Sequence, residues 1–326
     1  MRKKTLFILL GLLMVISLSF TKGINKIELN DLYISSGRFI VSGNSIITID
    51  NKDFNIKVFG QDGKLIKKKD IKGNGPGEVS TLGTFIFPDG KGFILLESQK
   101  RKWIKYNKDL IFLKEGKLDS PVTFLKKCKY GYIAGMASFM TKYYRKIFLY
   151  SEKLINKKLL FTDYGENFEK KLNTNELYIL LDSTDEKIAF FGGNKPIVNI
   201  IDYSGKVLKK LNLKKYIKPS EYSKEELSGI SKNLPSEVRK MMEFKKYPPI
   251  TQLLFISKDK ILIVSGEKKK LKGWKSFTYD TGNNKLKEIK PLPLGDIFIY
   301  KNSNLYIMGE GENAPYLMKI NIKEVL

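Results

Sequence analysis

The sequence predicts an all-β fold built as a ring of repeated four-stranded sheets. Short runs rich in Ile, Phe, Tyr and Val alternate with turn dipeptides such as Asp62-Gly63 and Ser204-Gly205. Such alternation is typical of strands joined by tight turns. The pattern also recurs at a nearly constant interval, and this recurrence indicates one supersecondary unit that is copied along the chain.

The repeat is clearest in two segments that match in register. Residues 56–64 and 198–206 each contain a strand, a four-residue turn with Gly, and a Lys that opens the next strand. With weaker copies included, the repeat ends fall at positions 59, 106, 150, 201, 279 and 320, and the spacings are 47, 44, 51, 78 and 41. Units of roughly 40–50 residues are the size of a propeller blade. The sequence therefore predicts a six-bladed β-propeller; a pair of β-sandwiches or another number of blades are the alternatives.

Closure of the ring is predicted to use both ends of the chain. Only six residues follow Ile320, which is short for a further strand and its turn. A spare strand-like stretch, residues 24–29, precedes the first repeat. We therefore expect this stretch to supply the outer strand of the last blade, since the blades bury their faces only against their neighbours.

Residues 1–23 have the pattern of a secretory signal peptide. Basic residues at positions 2–4 precede an apolar run over residues 6–16, and small residues follow. Cleavage is expected after Ser19, Thr21 or Gly23, and an uncleaved membrane anchor is the alternative. This predicts a mature domain of residues 24–326, without a later membrane span, that is secreted or periplasmic.

The composition excludes several classes of catalytic site. The chain of 326 residues contains no His and a single Cys, Cys128. It therefore has no Ser-His-Asp triad, no His-ligated metal, no intramolecular disulfide and no thiolate metal cluster. We predict no metal site and no cofactor.

The charge is large but does not favour nucleic acid. There are 59 Lys and Arg against 34 Asp and Glu, for a formal net charge of +25. Only five of the basic residues are Arg, the residue that nucleic-acid readers use for bidentate contacts. An anionic surface or polysaccharide, or a compositional bias toward Lys, are the remaining explanations.

One motif carries a family resemblance. The run Lys72-Gly73-Asn74-Gly75-Pro76-Gly77-Glu78 resembles the GxGPGE signature of bacterial secreted six-bladed β-propeller proteins, relatives of the NHL-repeat and TolB-like propellers. Residues 247–250 and the aromatic residues Trp103 and Trp274 resemble further features of these proteins. The resemblance implies the propeller fold over most of residues 30–322, and it implies little about function. Val79 stands where such proteins usually have an aromatic residue.

The same run has a chemical alternative, a phosphate-binding loop. It lacks the Lys-Ser/Thr ending of such loops and precedes a strand, so a tight link between blades is favoured. In this interpretation Glu78 accepts hydrogen bonds from the backbone. The acidic pairs Asp50/Asp53 and Asp182/Asp185 are candidates for calcium, but no known calcium-loop spacing surrounds them, and turn formation is favoured.

The connections are predicted to differ in length between the two faces of the ring. The turns between the first and second and between the third and fourth strands of a blade are short. The long segments gather at the opposite face: residues 72–83, 137–144, 163–175, 214–249 and 267–274. Long loops on a rigid scaffold commonly carry function.

The longest of these segments, residues 214–249, is predicted to be a helical insertion between blades four and five. Ser223 and Glu226 form a capping box for one helix, and Pro235 precedes a second helix over residues 236–244. The insertion is interpreted as a cap on the propeller, with a lid or a partner-docking helix as the alternative.

Basic and aromatic residues at this face are the candidate ligand-binding residues. They are Arg101, Lys102, Tyr143, Tyr144, Arg145, Lys195, Lys270, Lys272 and Trp274. Together they would form a cationic mouth lined with aromatic rings. In a chain with so many lysines, chance clustering is the alternative.

The favoured function is a non-catalytic binding scaffold that presents this basic face to a protein, a peptide or an anionic glycan. The alternative is a carboxylate- or metal-dependent hydrolase or lyase with its site in the central channel. Glycoside hydrolysis needs two facing carboxyl groups; Glu78 is one candidate, and the sequence identifies no partner for it. A structural component of the cell envelope is a third possibility, and a monomer is expected.

Overall fold

Six four-stranded antiparallel sheets form the blades of a β-propeller. The computed structural model describes residues 24–29, 32, 35–50, 53–81, 84–90, 92–139, 142–167, 172–173, 175, 179–232, 242–243, 246–269, 273–295, 297–309 and 315–326. The predicted signal peptide, residues 1–23, lies outside this part of the chain. The innermost strands of the six sheets are neighbours around the ring in chain order, and the last again contacts the first. The propeller predicted from the repeat spacing is confirmed.

Each blade runs from an innermost strand, a, to an outermost strand, d. Strand β1 (Ile24–Glu28) precedes the first complete blade. Blade 1 consists of β2 (Ser35–Ser42), β3 (Ser45–Asp50), β4 (Asn55–Gly60) and β5 (Leu65–Asp70). Blade 2 consists of β6 (Thr84–Asp89), β7 (Gly92–Glu97), β8 (Lys102–Asn107) and β9 (Phe112–Lys117). Blade 3 consists of β10 (Phe124–Cys128), β11 (Gly131–Phe139), β12 (Lys142–Tyr150) and β13 (Lys157–Asn167).

The second half of the ring follows after a short strand, β14 (Leu172–Asn173). Blade 4 consists of β15 (Ile179–Ser183), β16 (Ile188–Gly192), β17 (Ile197–Ile201) and β18 (Val207–Asn212). Helix α1 (Lys224–Lys232) and strand β19 (Met242–Glu243) come next. Blade 5 consists of β20 (Ile250–Phe255), β21 (Lys260–Lys269), β22 (Gly273–Asp280) and β23 (Lys285–Leu292). Blade 6 consists of β24 (Ile297–Lys301), β25 (Asn304–Gly309), β26 (Tyr316–Asn321) and β1, and a 3-10 helix (Ile322–Glu324) follows it.

The two ends of the described chain close the ring as the sequence predicts. Strand β1 pairs antiparallel with β26, from Ile24 opposite Ile320 to Glu28 opposite Tyr316. The side chain of Ile27 is buried between blades 6 and 1. The first strand therefore serves as the outer strand of the last blade.

The hydrophobic core lies between the blades. The described residues form six buried clusters, and each cluster joins side chains of two adjacent blades. Between blades 1 and 2, for example, Ile47 and Ile56 share a cluster with Phe93 and Ile104. Because every blade buries both of its faces against neighbours, no blade has a complete core of its own.

The matching repeats at residues 56–64 and 198–206 have a common physical cause. In each, the Gly of the turn between strands c and d has a positive φ, +81° at Gly63 and +96° at Gly205. A Cβ atom at either position would lie 2.1 Å from a carbonyl oxygen of the outer strand of the preceding blade, Glu28 O or Leu160 O. The turn can therefore contact the preceding blade only if this residue is Gly.

The insertion between β18 and β20 begins as predicted and then differs. Helix α1 opens with the capping box: Glu226 N–H donates to Ser223 Oγ (3.2 Å) and Ser223 N–H to Glu226 Oε2 (2.7 Å). With the first complete sheet as blade 1, the helix lies between blades 4 and 5. If the closing blade is counted first instead, the same position lies between blades 5 and 6. No helix in the described part of the chain is long and apolar enough to span a membrane.

The predicted second helix, residues 236–244, is wrong at its C-terminal end. Met242 and Glu243 form strand β19, which pairs in parallel with Leu172 and Asn173 of β14. Pairing with the preceding link supplies backbone partners that a terminal helical turn would leave unsatisfied. The rest of the predicted helix, residues 236–241 and 244, lies outside the described residues.

Candidate functional site

The two faces of the ring carry different connections. The antiparallel order places the turns between strands a and b and between c and d at one face, which we call the short-turn face. The turns between b and c and the links between blades lie at the other, the long-connection face. The links after β5, β13 and β18 are long, and their described ends lie at the long-connection face.

Two of the segments expected to be loops at this face are ends of extended hairpins. Strands β11 and β12 stay paired to Phe139 and Tyr143, and β21 and β22 to Lys269 and Gly273. Strand pairing continues here because it satisfies the backbone groups that a loop would leave to water. The hairpins lengthen blades 3 and 5 toward the long-connection face.

The glycine-rich run of residues 72–78 is a tightly bonded link between blades 1 and 2. Glu78 Oε2 accepts the N–H of Gly75 at 2.7 Å, and a Cβ at Gly73 would lie 2.0 Å from the same oxygen. Gly77 N–H donates to Glu115 Oε2 (2.8 Å), and its carbonyl accepts the hydroxyl of Tyr106. Pro76 is exposed at the tip of the link. The backbone N–H groups of Gly75 and Gly77 therefore bind carboxylates of the protein itself.

Lys102 belongs to the same link. Its ammonium donates to Glu78 O at 3.0 Å and pairs with Glu115 Oε2 at 3.1 Å. Burial would raise the pKa of Glu115, but Gly77 N–H and Lys102 outweigh it and lower that pKa. Arg101 is exposed in the neighbouring turn with φ +56°. Lys102 thus stabilises the fold, and Arg101 lies at the surface of the long-connection face.

Two of the candidates on blade 3 are buried. Tyr143 is 2% exposed and Arg145 is 5% exposed. Arg145 Nε and Nη2 both donate to Asp163 Oδ2, at 2.9 and 2.7 Å, across the pair of strands β12 and β13. A guanidinium held in this way positions the outer strand of the blade.

Tyr144, the third candidate on blade 3, is half-buried against the core between blades 2 and 3 and adjoins more exposed residues. It lies directly opposite Tyr164 on β13, so both side chains project from the same side of the sheet. Tyr164 is 62% exposed, and the ammonium of Lys146 lies 5.0 Å from the centroid of the Tyr144 ring. We call Tyr144, Lys146 and Tyr164 the tyrosine–lysine patch. The sequence prediction included Tyr144 alone. Lys146 lies two residues further along β12 and so on the same side of the sheet. Tyr164 is placed beside Tyr144 by the register of β12 against β13, which the sequence does not reveal.

Trp274 is 4% exposed and stabilises the helical insertion. Its indole N–H donates to Gly295 O at 3.2 Å, and its ring meets Tyr247 edge-on at a centroid distance of 5.1 Å. The ammonium of Lys268 lies 4.5 Å from the Tyr247 ring and 5.6 Å from the Trp274 ring, and it pairs with Glu226 of α1. We call Trp274, Tyr247, Lys268 and Glu226 the helix latch.

The partners of Glu226 in the helix latch stabilise the charged form of its carboxylate. Glu226 also accepts the hydroxyl of Tyr247 and the N–H of Ser223. Burial would raise the pKa of Glu226, but Lys268, Tyr247 and the Ser223 N–H outweigh it and lower that pKa to about 2. The latch therefore holds α1 on blade 5 throughout the neutral pH range.

The remaining candidates do not join one mouth within the described structure. Lys195 is exposed in the turn between β16 and β17 of blade 4. Lys270 and Lys272 lie outside the described residues. The described candidates thus occupy four different blades.

A lysine side chain lies between the two carboxylates of the first acidic pair that the sequence offered for calcium. Asp50 Oδ2 lies 2.8 Å and Asp53 Oδ2 lies 3.3 Å from the ammonium of Lys57. Burial would lower the pKa of Lys57, but Asp50 and Asp53 outweigh it and raise that pKa.

The second pair is split between two locations. Asp182 pairs with Lys126 and accepts the N–H of Phe255 at 2.6 Å, so it ties blades 3, 4 and 5 together. Asp185 is exposed in the turn after β15.

The family model described as 6-bladed beta-propeller, DUF5128, matches residues 32–245, more than half of the chain. The chain belongs to this family. Membership in DUF5128 agrees with the six sheets and the closed ring, and the relation to NHL-repeat and TolB-like propellers stays a prediction. No curated protein matches the chain.

Solved structures similar to this DUF5128 chain share its fold at low sequence identity. An exported protein of Bacteroides fragilis NCTC 9343 is 12% identical, with 91% of this chain and 94% of that chain covered and a TM-score of 0.52. A member of the DUF4221 family from Bacteroides vulgatus ATCC 8482 is 10% identical, with 91% and 95% covered and a TM-score of 0.52. A luciferin-regenerating enzyme is 11% identical, with 93% and 97% covered and a TM-score of 0.51. At these identities the likeness concerns the fold alone.

Proposed function

We propose that the protein is a non-catalytic binding scaffold that works outside the cytoplasm and engages an anionic glycan through its long-connection face. The observation that carries this proposal is the tyrosine–lysine patch on the extended end of blade 3. The exposed Tyr164 ring offers a flat apolar face to sugar rings, and the Lys146 ammonium beside the half-buried Tyr144 ring offers a contact for acidic groups. An acidic protein or peptide is the competing partner class for the same face.

The carboxylates of this face support binding rather than hydrolysis. Glu78, Glu115, Asp163 and Glu226 each accept hydrogen bonds from a backbone N–H group or a basic side chain of the protein. Groups held in this way position links, strands and the helix. The proposal therefore assigns them structural roles.

A location outside the cytoplasm is supported by the pattern of residues 1–23 and by the position of β1. The closing strand begins at Ile24. Signal cleavage after Ser19, Thr21 or Gly23 would leave this strand intact, whereas cleavage within β1 would remove part of the ring closure. N-terminal sequencing of the exported protein tests this, and a mature chain that begins within β1 would contradict it.

The binding proposal is tested by biolayer interferometry on immobilised polygalacturonate, with neutral dextran as the control polymer. We expect binding to polygalacturonate that weakens at higher salt concentration. Tyr164→Ala and Lys146→Gln should each weaken it by about fivefold, because each removes one contact with the polymer, worth about 1 kcal/mol.

The matched control is a similar pair on the short-turn face. Tyr130 is 51% exposed, and the ammonium of Lys129 lies 4.8 Å from its ring centroid. Tyr130→Ala should leave the binding unchanged. Equal losses in the two variants, binding that is insensitive to salt, or release of new reducing ends from the polymer would each contradict the proposal. Binding to acidic peptides instead of the polymer would identify the competing partner class.

A further inference from the structure

A cavity of about 570 Å³ lies on the propeller axis. Its wall consists of residues 39–41 of β2, 85–88 of β6, 124–126 of β10, 179–182 of β15, 252–255 of β20 and 299–301 of β24. All six innermost strands therefore contribute. Pockets that take small molecules commonly enclose about 300–1,000 Å³.

The wall of this axial cavity is mainly apolar and aromatic. Five phenylalanines from four blades line it: Phe39, Phe85, Phe87, Phe124 and Phe255. The rings of Phe87 and Phe124 meet edge-on with centroids 5.7 Å apart, across the junction of blades 2 and 3. Such a wall favours a ligand with an apolar body, since binding removes that body from water.

The charged groups of the wall do not balance. Asp182 is compensated by Lys126. Lys301 is half-buried, and its ammonium donates to Val41 O of the neighbouring blade. Among the described residues no carboxylate pairs with Lys301, so the wall carries one positive charge in excess. An ammonium next to apolar walls is screened less than one at the surface and attracts an anion more strongly.

We propose that the axial cavity binds a small amphipathic monoanion, an aromatic or alkyl carboxylate. Its apolar body lies among the phenylalanines and its carboxylate accepts a hydrogen bond from Lys301. This site is separate from the tyrosine–lysine patch. It adds a small-molecule ligand to a protein proposed to bind a polymer at its surface.

Isothermal titration calorimetry of the full mature chain with decanoate tests the proposal, with decanol as the uncharged probe of the same chain length. We expect saturable binding of one decanoate per protein and weaker binding of decanol. Lys301→Met should weaken decanoate binding by about tenfold and leave decanol binding unchanged, because only the carboxylate forms a charge-assisted hydrogen bond with the ammonium.

Three further variants keep the result interpretable. Lys301→Arg retains the charge and should retain decanoate binding. Lys287→Met removes an exposed rim lysine that contacts Leu326 O, and it should have no effect. Leu180 is half-buried in the cavity wall, and Leu180→Trp places a larger side chain in the cavity. This variant should abolish binding of both probes and still show a folded state in thermal melts.

Several outcomes would overturn the site. They are the absence of saturable decanoate binding, equal affinities for decanoate and decanol, and equal losses in the Lys301→Met and Lys287→Met variants. None of these outcomes bears on polygalacturonate binding at the long-connection face. The two proposals therefore fail separately.

Discussion

At the scale of single residues, the motifs of this chain satisfy geometric requirements of the ring. Glu78 binds the backbone of its own link, and Arg145 binds the outer strand of its own blade. Gly63 and Gly205 permit close contact between adjacent blades. Side chains of similar chemistry therefore differ in burial and cannot all have the same role. A side chain held in an ion pair inside a sheet, for example, cannot contact a ligand at the surface.

The Gly63 contact gives the first prediction. Gly63→Ala should lower the free energy of unfolding by about 3 kcal/mol, since the new Cβ would suffer both an unfavourable φ and a collision with Glu28 O. Gly90→Ala is the matched control: Gly90 has φ +57°, and a Cβ there meets nothing within 4 Å. It should cost about 1 kcal/mol. Urea denaturation measures both, and equal losses would show that the interblade contact is unimportant.

The helix latch gives a prediction about pH. The folded-state pKa of Glu226 is lowered from 4.5 to about 2. A lowered carboxyl pKa stabilises the folded state fully above the unfolded value, and this contribution is lost as the pH falls through the folded value. The stability difference between the wild-type chain and Glu226→Gln should therefore be largest above pH 4.5 and disappear as the pH falls to about 2.

Thermal melts over this pH range measure the effect. Glu152→Gln, at an exposed turn of blade 3, is the control and should show no such dependence. A Glu226→Gln deficit that is the same at every pH would mean that the side chain contributes through packing and not through its charge.

At the scale of elements, β1 closes the ring, as the sequence predicts. It is five residues long, with an exposed Lys26 and a buried Ile27. Its partner, β26, lies at the opposite end of the chain. Its pairing completes blade 6 and covers the cluster between blades 6 and 1.

Removal of β1 should destabilise the whole ring. A chain that begins at Leu29 should melt on the order of 10 °C below one that begins at Ile24, because blade 6 loses its outer strand and the last core cluster is opened. Differential scanning calorimetry of the two chains measures this. Equal melting temperatures would show that the ring does not depend on this closure.

At the scale of the whole molecule, the rim explains much of the lysine excess. The outer strands of the blades carry exposed lysines at positions 26, 67, 68, 114, 117, 157, 158, 209, 210, 285, 287 and 290. Outer strands have one unpaired backbone edge, and lysines on such edges oppose pairing with another molecule. The positive charge is thus spread around the ring, where it protects the six strand edges from pairing with other molecules. It is not concentrated at a single binding site.

Neutralising the rim should promote self-association. Combined Lys68→Thr, Lys209→Thr and Lys210→Thr substitutions alter exposed residues of β5 and β18 and should raise the apparent mass in size-exclusion chromatography with light scattering. The same change at Lys64, Lys108 and Lys153, which are exposed in turns, is the charge-matched control and should leave the apparent mass unchanged. Equal behaviour of the two variants would assign the effect to net charge alone.

The sequence by itself determined the class of fold, the number of blades and the closing strand. These depend on strand composition, turn residues and repeat spacing, which are local properties or simple distances along the chain. The capping box at Ser223 and Glu226 and the interblade link at residues 72–78 were predictable for the same reason.

Only the tertiary structure decided which polar and aromatic side chains remain available. Tyr143, Arg145 and Trp274 are buried by strand pairing and interblade packing, whereas Tyr164 joins Tyr144 and Lys146 through the register of two strands. The axial cavity requires residues from six strands spread over most of the chain. Burial and register arise from contacts between residues far apart in sequence, and no local pattern encodes them.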